Sequence, residues 1–435
     1  MKSLVALHRS SAMPFTPAPK AVRAGDYIFT SSIYPIDASG HAVAVDGPLG
    51  EAGPSLIAAH TRHCLETLRE ILQEQGSSLD RVLKAEVHLA DAADFYEFKL
   101  VWREYFPHDP PARTAVEVGD TLPFRGVRLN LDAVALAGDS RLERQVLRDP
   151  GGPDPLDAEG ASWAVRAGNI VFCSGFAAID FKTGLAAGKK PGFPNYGNDA
   201  VAQAQYFFDA LNRVLGEAGT SLEHALESIL YEPDLKTFYD VDSTWARYMP
   251  VPPGRASMGI KGLLVPGACF VASLTVLVPD KDHVKQESRE GIPYHPVSRM
   301  KVNYTPTLKA GPWLYIAGKT AGNMDPVGAA PPPGMPQKYA PPGLPHHFSD
   351  IEIQTRHTME ALTKQIEVNG SDWRHCHHVR VWLTQPQRDY RGFLRVWRDY
   401  FPDSASAPAL AYVPSTGIMY PGPVIEIDPT CVLKT

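Results

Sequence analysis

Two arginines occupy matching contexts, each inside an otherwise apolar run typical of a strand. Arg113 lies in "PPARTAVEV", residues 110–118, and Arg255 lies in "PPGRASMGI", residues 252–260. A third version of the pattern, "APALAYVPS" at 407–415, has Leu410 at the arginine position. A guanidinium group can bind a carboxylate through two parallel hydrogen bonds, which a lysine cannot do. The alternative interpretation is an ordinary ion pair on a surface strand.

Three further side chains could do chemistry, but their patterns are less specific. Lys319 could act as a nucleophile or form a Schiff base if it is desolvated, although a solvated lysine after a strand is the simpler interpretation. His375 and His377 in "RHCHHVRV" are two residues apart, a spacing that places both on one face of a strand. No third metal ligand follows from spacing, so no metal and no organic cofactor are predicted.

These residues recur because the sequence contains a long internal repeat. "AGDYIFTSS" begins at residue 24, "AGNIVFCSG" at 167 and "AGPWLYIAG" at 310, so each lies 143 residues after the one before. A second motif follows in each copy, as "VWREYFP" at 101, "TWARYMP" at 244 and "VWRDYFP" at 396. Such self-similarity indicates three tandem copies of one unit. We predict domains at 1–140, 141–285 and 286–435, the third with a Pro-rich insert at about 325–345.

The first copy shows which elements must position these side chains. "DYIFTSSIYP" alternates like a strand, an amphipathic helix runs from Pro54 to Gly76, and "VLKAEVHLA" alternates again. A short aromatic helix, "DFYEFKLVWREYF", precedes two more strands, "RTAVEV" and "VRLNLDAVAL". The order strand, helix, strand, helix, strand, strand predicts an α+β layer with its helices on one face of a sheet.

Composition narrows the class of protein. The 435 residues carry a formal net charge of -6, which argues against a nucleic-acid partner held by phosphate neutralisation. The five cysteines form no CxxC pair and are typical of reduced thiols. No apolar run reaches the length of a signal-peptide core or a membrane span. We therefore expect a cytoplasmic protein with no membrane partner.

At the repeated motifs the chain resembles the RidA/YjgF family of imine and enamine deaminases. The first copy carries the resemblance most fully, in "RAGDYIFTSS", "PPARTAVEV" and "VRLNLDAVAL", and the other two match more loosely. Members of this family are usually homotrimers with ligand sites in the clefts between subunits. The resemblance implies three RidA-like (chorismate-mutase-like) domains that form an intramolecular pseudo-trimer, so that the chain is a monomer or a homodimer.

The resemblance also implies roles for individual residues. The family arginine that binds the substrate carboxylate corresponds to Arg113 and Arg255. The serine of the turn corresponds to Ser31 and Ser174, and the adjoining ligand-binding backbone corresponds to Gly175. In the third copy this turn reads Ala317, Gly318, Lys319. The family tyrosine occurs as Tyr304, where the other copies have Ala18 and Ala161. The family glutamate, which positions the hydrolytic water, survives as Glu426, with Asn130 and Ala272 in its place elsewhere.

No single copy holds a complete site, but the copies complement one another. We therefore expect one composite cleft, in which an arginine from the first or second copy meets Tyr304 and Glu426 from the third; the first copy's fuller match favours Arg113. An arginine anchor and a glutamate would support hydrolytic deamination of a small carboxylate-bearing nitrogen compound without a cofactor. The alternatives are a non-catalytic binding or regulatory protein, and a ring-opening amidohydrolase that would need a serine and a lysine in each repeat.

Overall fold

The computed structural model describes most of the chain. The described residues are 5–45, 55–119, 122–152, 154–180, 182–189, 192–193, 196–290, 303–321, 349–419 and 422–434. The predicted Pro-rich insert at about 325–345 lies outside them. Within them, no helix is both long and apolar enough to cross a membrane.

The first sheet contains the strands up to residue 136. They are β1 Leu7–Arg9, β2 Ala21–Ala24, β3 Tyr27–Thr30, β4 Val82–Leu89, β5 Ala112–Glu117 and β6 Leu129–Leu136, in the order β1-β2-β3-β6-β4-β5. β4 and β5 pair in parallel, whereas the other neighbours are antiparallel. The helices of this part are α1 Leu56–Glu74 and α2 Phe95–Tyr105.

The second sheet repeats this order. Its part of the chain contains β7 Arg144–Leu147, β8 Ala164–Ala167, β9 Ile170–Cys173, β10 Ile179–Asp180, β11 Gly184–Leu185, β12 Ala225–Glu232, β13 Gly254–Gly259 and β14 Val271–Leu277. The sheet order is β13-β12-β14-β9-β8-β7, and β10 and β11 form a separate hairpin. The helices are α3 Leu156–Glu159, α4 Asp199–Gly216 and α5 Phe238–Tyr248.

The third sheet has the same strand order, but one short strand from its part of the chain pairs with the second sheet. Its part of the chain contains β15 Lys285–Ser288, β16 Thr307–Ala310, β17 Trp313–Ile316, β18 Lys319–Thr320, β19 Cys376–Leu383, β20 Ala409–Pro414, β21 Gly417–Ile418 and β22 Ile425–Val432. The order is β15-β16-β17-β22-β19-β20, with β18 beside β22. β21 instead pairs with β13 and extends the second sheet. The helices are α6 Asp350–Val368 and α7 Pro386–Tyr400.

Short 3-10 helices precede several of these elements. They are Leu79–Arg81, Ala92–Asp94, Leu222–His224, Leu235–Thr237 and Trp373–His375.

The first long helix forms where its sequence signals predict. Ser55 is the N-cap, and its hydroxyl accepts a hydrogen bond from the backbone N–H of Ala58. The apolar stripe is buried, and Gly76 follows with φ +68°, a conformation that favours glycine after a helix. The stripe predicted from the spacing is confirmed at Ile57, Cys64, Leu65, Leu68 and Leu72.

β4, β12 and β19, each of which pairs in parallel with the strand that follows it, are almost entirely buried on both faces. In β4 the apolar residues contact the helices, whereas Lys84, Glu86 and His88 alternate with them and are also buried. A second buried cluster combines side chains of all three sheets, among them Tyr27, Val165 and Trp313. The polar faces of the sheets therefore face one another.

Candidate active site

Three clefts form where the edge of one sheet meets a turn of the next. In the first cleft, β5 of the first sheet meets Ser174 and Gly175, which follow β9 of the second. In the second cleft, β13 meets Gly318 of the third sheet. In the third cleft, β20 meets Ser31 of the first sheet. This cyclic order decides which predicted residues come together.

The first cleft holds Arg113 against a carboxyl group of the chain itself. The guanidinium Nη2 donates to the carbonyl oxygen of Glu159 at 2.6 Å and lies 3.4 Å from its Oε2. Nε and Nη1 are buried without a hydrogen-bond partner. The rings of Phe95, Phe98 and Trp102 surround the group with centroids 5.0–5.4 Å away, a cation–π arrangement. Burial lowers the pKa of Arg113 to about 10 and raises the pKa of Glu159, which Arg113 opposes.

Besides Glu159 of α3, the first cleft has no acid from β14, the strand of the second sheet that faces Arg113. The cavity beside it measures only about 20 Å³ and is lined by Val271, among others. The strand register places Asn130 opposite His88, Val271 opposite Tyr231 and Glu426 opposite Trp382. The residue of the second copy at the glutamate position is therefore Val271, and the assignment to Ala272 is wrong by one residue. A slip of one residue moves a side chain to the other face of a sheet.

The second cleft brings an arginine to Glu426, and that arginine is Arg255. The carbonyl oxygen of Arg255 accepts a hydrogen bond from the N–H of Gly318 at 3.2 Å. Its guanidinium group is close enough to oppose the rise in the pKa of Glu426. Arg113 bonds instead to the Ser174 turn, so the expectation that Arg113 shares the cleft of Glu426 is wrong. The order of the sheets around the molecule, which no local pattern encodes, decides between them.

Glu426 is buried directly over the glycine of the turn. Its carboxyl group is 6% exposed, and a Cβ atom built on Gly318 would overlap Glu426 Oε1. Burial, and next the neighbouring Asp428, raise the pKa of Glu426 well above its usual value. Among the described residues no hydrogen bond or ion pair engages this carboxyl. A protonated, unengaged carboxylic acid can donate a proton to a bound ligand.

Arg255 already has an acidic partner in the second cleft. Its Nη1 donates to Asp242 Oδ1 at 2.6 Å, and both side chains are 3% exposed. Asn303 holds the other oxygen of Asp242 at 2.7 Å, and the rings of Phe238 and Trp245 lie 4.8 and 5.5 Å from the guanidinium carbon. The anchor is therefore fixed in place but partly neutralised.

A second buried acid lies near Arg255. Burial raises the pKa of Glu232 to about 8, and Arg255 opposes this rise. One oxygen of Glu232 accepts a hydrogen bond from Thr237 at 3.3 Å, whereas the other is buried without a partner. Sequence reasoning missed both Glu232 and Asp242. A comparison of the copies carried a signal: where the second copy has Glu232, the other two have Leu89 and Leu383. Where it has Asp242, they have Lys99 and Leu394.

Tyr304 lies at the edge of the second cleft. It is half-buried and precedes Thr305, whose N–H donates to the carbonyl oxygen of Pro253 at 3.0 Å. This bond joins the segment of Tyr304 to the segment that leads into β13. Arg255, Tyr304, Gly318 and Glu426 thus belong to one cleft, built by the second and third sheets.

Lys319 points away from Glu426. In the pairing of β18 with β22, Thr320 is opposite Glu426 and Lys319 is opposite Ile427. Because successive side chains of a strand alternate between faces, Lys319 and Glu426 lie on different faces of the sheet. Burial lowers the pKa of Lys319. The structure therefore does not bring Lys319 together with the other residues predicted to bind substrate.

The third cleft has no cation where the other two have arginine. The N–H of Leu410 donates to Ser31 Oγ at 2.8 Å, and Ser32 donates back to the carbonyl oxygen of Leu410 at 3.0 Å. Asn130 Nδ2 donates to the carbonyl oxygen of Tyr412 at 3.0 Å. Leu410 and Tyr412 belong to the largest apolar cluster of the described residues. This cleft is an ordinary packed interface.

The two serines hold strands of different sheets together. Ser174 Oγ accepts from the N–H of Arg113 at 2.7 Å and donates to the carbonyl oxygen of Ser162 at 2.6 Å. Ser31 Oγ makes the same pair of bonds with Leu410 and Pro19. Both hydroxyls are buried, so this placement gives them a structural role and not the predicted catalytic one. Gly175 is engaged likewise, because its N–H donates to Thr114 Oγ1.

The two histidines do not form a metal pair. His375 ends the 3-10 helix before β19 and bonds through Nδ1 to Asp372 at 2.7 Å, whereas His377 lies within the strand. His377 is buried against Phe29, with ring centroids 4.4 Å apart. The expectation that both lie on one strand face is wrong because the strand begins at Cys376. Among the residues that the structure describes, no group of three potential ligands could hold a metal ion.

The sequence is similar to a family model and to several known proteins. A family model described as Endoribonuclease L-PSP matches residues 10–137, which contain every strand of the first sheet except β1. The 3-aminoacrylate deaminase RutC of Acinetobacter baylyi is 36% identical over 123 residues, which are 28% of this chain and 90% of that protein. A RutC family protein of Pyrococcus abyssi is 35% identical over 122 residues, or 28% of this chain and 87% of that protein. The chain belongs to the RidA/YjgF family.

One relative carries a mitochondrial name. The mitochondrial protein mmf1 of Schizosaccharomyces pombe is 35% identical over 129 residues, which are 29% of this chain and 70% of that protein. The crystal structure of yeast Mmf1 is 28% identical, covers 30% of this chain and 99% of that chain, and has a TM-score of 0.26. The cytoplasmic location stays a prediction.

Proposed function

We propose that the chain is a cofactor-independent deaminase of the RidA type whose active site is the second cleft. The observation that carries this proposal is the meeting of Arg255 from the second sheet with Gly318 and Glu426 from the third. The residues matched by the family model contribute to the other two clefts. The proposed site is therefore built by the two copies that resemble the family less.

The proposed substrate is a short enamine or imine that bears a carboxylate. RutC of Acinetobacter baylyi is named a 3-aminoacrylate deaminase, and 3-aminoacrylate has both groups. Arg255 would bind the substrate carboxylate either in addition to Asp242 or in place of it. Tyr304 would close the edge of the cleft over the small ligand.

Glu426 would transfer the protons. In its protonated form it would give a proton to the enamine carbon next to the carboxylate, so that the C=C bond shifts to C=N. The resulting carboxylate would take a proton from a water molecule as the water oxygen bonds to the C=N carbon. Glu426 would then give this proton to the nitrogen, which leaves as ammonia, and would take the hydroxyl proton as the C=O bond forms, so that Glu426 ends protonated as it began. One water is consumed and one ammonia released.

The first experiment compares conservative variants in an ammonia-release assay on an enamine carboxylate generated in situ. Glu426→Gln keeps the shape of the side chain but cannot exchange the proton, so we expect kcat to fall by about 10²-fold or more. Arg255→Ala should lower kcat/KM at least about tenfold because charged hydrogen bonds contribute roughly 1.5–3 kcal/mol. Arg113→Ala is the matched control. Full activity of Glu426→Gln would refute the proposal.

We further propose that the three copies are RidA-like domains at 1–140, 141–285 and 286–435 that form a pseudo-trimer. The matching strand orders and the three cyclic contacts support this. A chain of 47.5 kDa should then be a monomer or a dimer by mass measurement in solution. A compulsory trimer of chains would contradict it. A small carboxylate remains the proposed ligand, with neither nucleic acid nor membrane as a partner.

One observation favours a second candidate, a protein that binds without catalysis or serves only as a structural element. Both arginines already bind carboxyl groups of the chain, Glu159 and Asp242. If the Glu159 carboxyl takes the place of a ligand, Glu159→Ala should leave Arg113 without a carboxylate partner. Added propionate should then bind there and raise Tm. Glu70→Ala, on the exposed face of α1, is the control. An amidohydrolase is less favoured because the Ser31 and Ser174 hydroxyls are bonded to backbone on both sides.

A further inference from the structure

The three sheets enclose a central cavity that belongs to none of the clefts. It measures about 40 Å³, and its wall combines residues of β3, β4 and β6 with residues of β9, β12 and β14 and of β17, β19 and β22. Arg113, Arg255 and Glu426 do not line it. A space of this size holds one or two groups as large as a water molecule.

The charges around the central cavity do not balance. Arg380 pairs with Glu227 at 3.1 Å and with Asp428 at 3.2 Å. Lys84 lies 3.2 Å from Glu86, which also accepts a hydrogen bond from Ser273. The fourth acid is Asp132.

Within the described part of the chain, Asp132 has no cation in direct contact, although Arg380 and Lys84 lie close enough to oppose the rise of its pKa. It is 5% exposed and lines the central cavity, and its Oδ1 is buried without a hydrogen-bond partner. No ion pair among the described residues includes it. Two cations therefore face four carboxyl groups, and the unmatched one borders the empty space. A buried carboxylate without a partner is costly, so a cation beside it would be stabilised.

Aromatic rings form much of the remaining wall. The lining includes the following five: Tyr27, Phe29, Phe172, Trp313 and Tyr315. Ring faces attract ammonium groups, and this attraction is stronger where water is excluded. The other charged groups of the lining are paired, Lys84 with Glu86 and Arg380 with Glu227, so Asp132 is the one unpaired acid beside the rings. One unpaired acid beside rings suits a nitrogen cation, which needs few oxygen ligands. It does not suit a metal ion, and no group of three metal-ligating side chains occurs in the part of the chain that the structure describes.

We propose that the central cavity binds a small protonated amine, ammonium or methylammonium, beside Asp132 and against the aromatic wall. A volume of about 40 Å³ suits an amine of this size. The acid is available in its charged form above neutral pH, since burial, and next Glu86, raise the pKa of Asp132 to about 7 while Arg380 and Lys84 oppose this rise. This site is independent of the proposed reaction in the second cleft.

The test measures Tm of the full chain at pH 8.5 in ammonium, potassium and tetramethylammonium chloride at equal ionic strength. Ammonium should raise Tm above the values in the other two salts because a ligand that binds only the folded state stabilises it. ¹⁵N-labelled ammonium should also give a bound signal by NMR. Asp132→Asn should weaken ammonium binding about tenfold or more, the effect of losing a charged hydrogen bond. Asp282→Asn, on an exposed loop, is the matched control.

Phe172→Leu provides a second test of the central cavity in case Asp132→Asn does not fold. It removes a ring of the wall and keeps an apolar side chain of similar size, so the ammonium effect should shrink with no change of charge. Equal Tm in ammonium and potassium would overturn the proposal. An ammonium effect that persists undiminished in both variants would overturn it as well.

Discussion

Gly318 occupies a position where only a residue without a side chain fits. A Cβ atom there would overlap Oε1 of Glu426. Glu426 is held by the pairing of β18 with β22, and Gly318 directly precedes β18 and donates its N–H to the carbonyl oxygen of Arg255. The glycine therefore determines where the carboxyl group lies relative to Arg255. At the residue scale, the proposed chemistry depends on this one close approach.

We expect Gly318→Ala to displace the Glu426 carboxyl group and lower kcat/KM at least about tenfold, because a catalytic group about 1 Å out of place loses most of its effect. The measurement is the ammonia-release assay with a parallel thermal melt. Gly216→Ala is the control, since nothing lies within 4 Å of a Cβ at Gly216. Unchanged kinetics in Gly318→Ala would mean that Glu426 does not act in this cleft.

At the scale of elements, the serine turns join strands that belong to different sheets. Ser174 bonds the N–H of Arg113 in β5, and Ser31 bonds the N–H of Leu410 in β20. In the second cleft the matching residue is Ala317, which has no hydroxyl to offer Arg255. The strand edge of the proposed active site therefore lacks this serine hydrogen bond.

Replacing either serine with alanine should destabilise the protein without abolishing activity. Ser174→Ala leaves the buried N–H of Arg113 and the carbonyl oxygen of Ser162 without this partner, which costs about 1–3 kcal/mol. Chemical denaturation should show this loss for both Ser31→Ala and Ser174→Ala. A loss of kcat at unchanged stability would instead restore the catalytic role that the sequence predicted for them.

At the scale of the whole molecule, buried acids concentrate where the sheets meet. Burial raises the pKa of Asp132 to about 7, of Asp428 to about 8 and of Glu232 to about 8. Arg380 opposes the rise at Asp428, and Arg255 opposes it at Glu232. The folded chain therefore keeps protons that the unfolded chain releases near pH 4.

The free energy of unfolding should consequently fall as pH rises from about 6.5 to 8. Below about 6.5 the buried histidines His88, His377 and His378, whose pKa values burial lowers, contribute in the opposite direction. The contribution of these acids is fully present below their unfolded pKa and is lost as pH passes their folded pKa, at up to about 1.4 kcal/mol per pH unit for each group. Urea titrations across this range measure the slope. Asp132→Asn should flatten it and Asp282→Asn should not, whereas stability that rises through this range in the wild type would contradict the prediction.

Much of this protein follows from its sequence alone. The 143-residue repeat, the amphipathic stripe of α1 and the strand character of "RTAVEV" are local patterns that fix periodicity and burial. They also single out Arg113 and Arg255, because a charged residue inside an apolar strand contrasts with its neighbours, whereas Glu426 was assigned through the family resemblance. Such patterns can be read from sequence because the direction of successive side chains repeats every two residues in a strand and about every 3.6 residues in a helix.

Only the tertiary structure decided which of these residues meet. The cyclic order of the sheets pairs Arg255 with Glu426 and leaves Arg113 against Glu159, although the first copy matches the family better. The strand register, which the sequence comparison of the copies did not give, places Val271 at the glutamate position. It also places Lys319 on the face of the sheet opposite to Glu426. The pairing of Asp242 with Arg255 and the raised pKa values of Glu232 and Asp132 appear only in three dimensions, since they depend on burial and on neighbours distant in the chain.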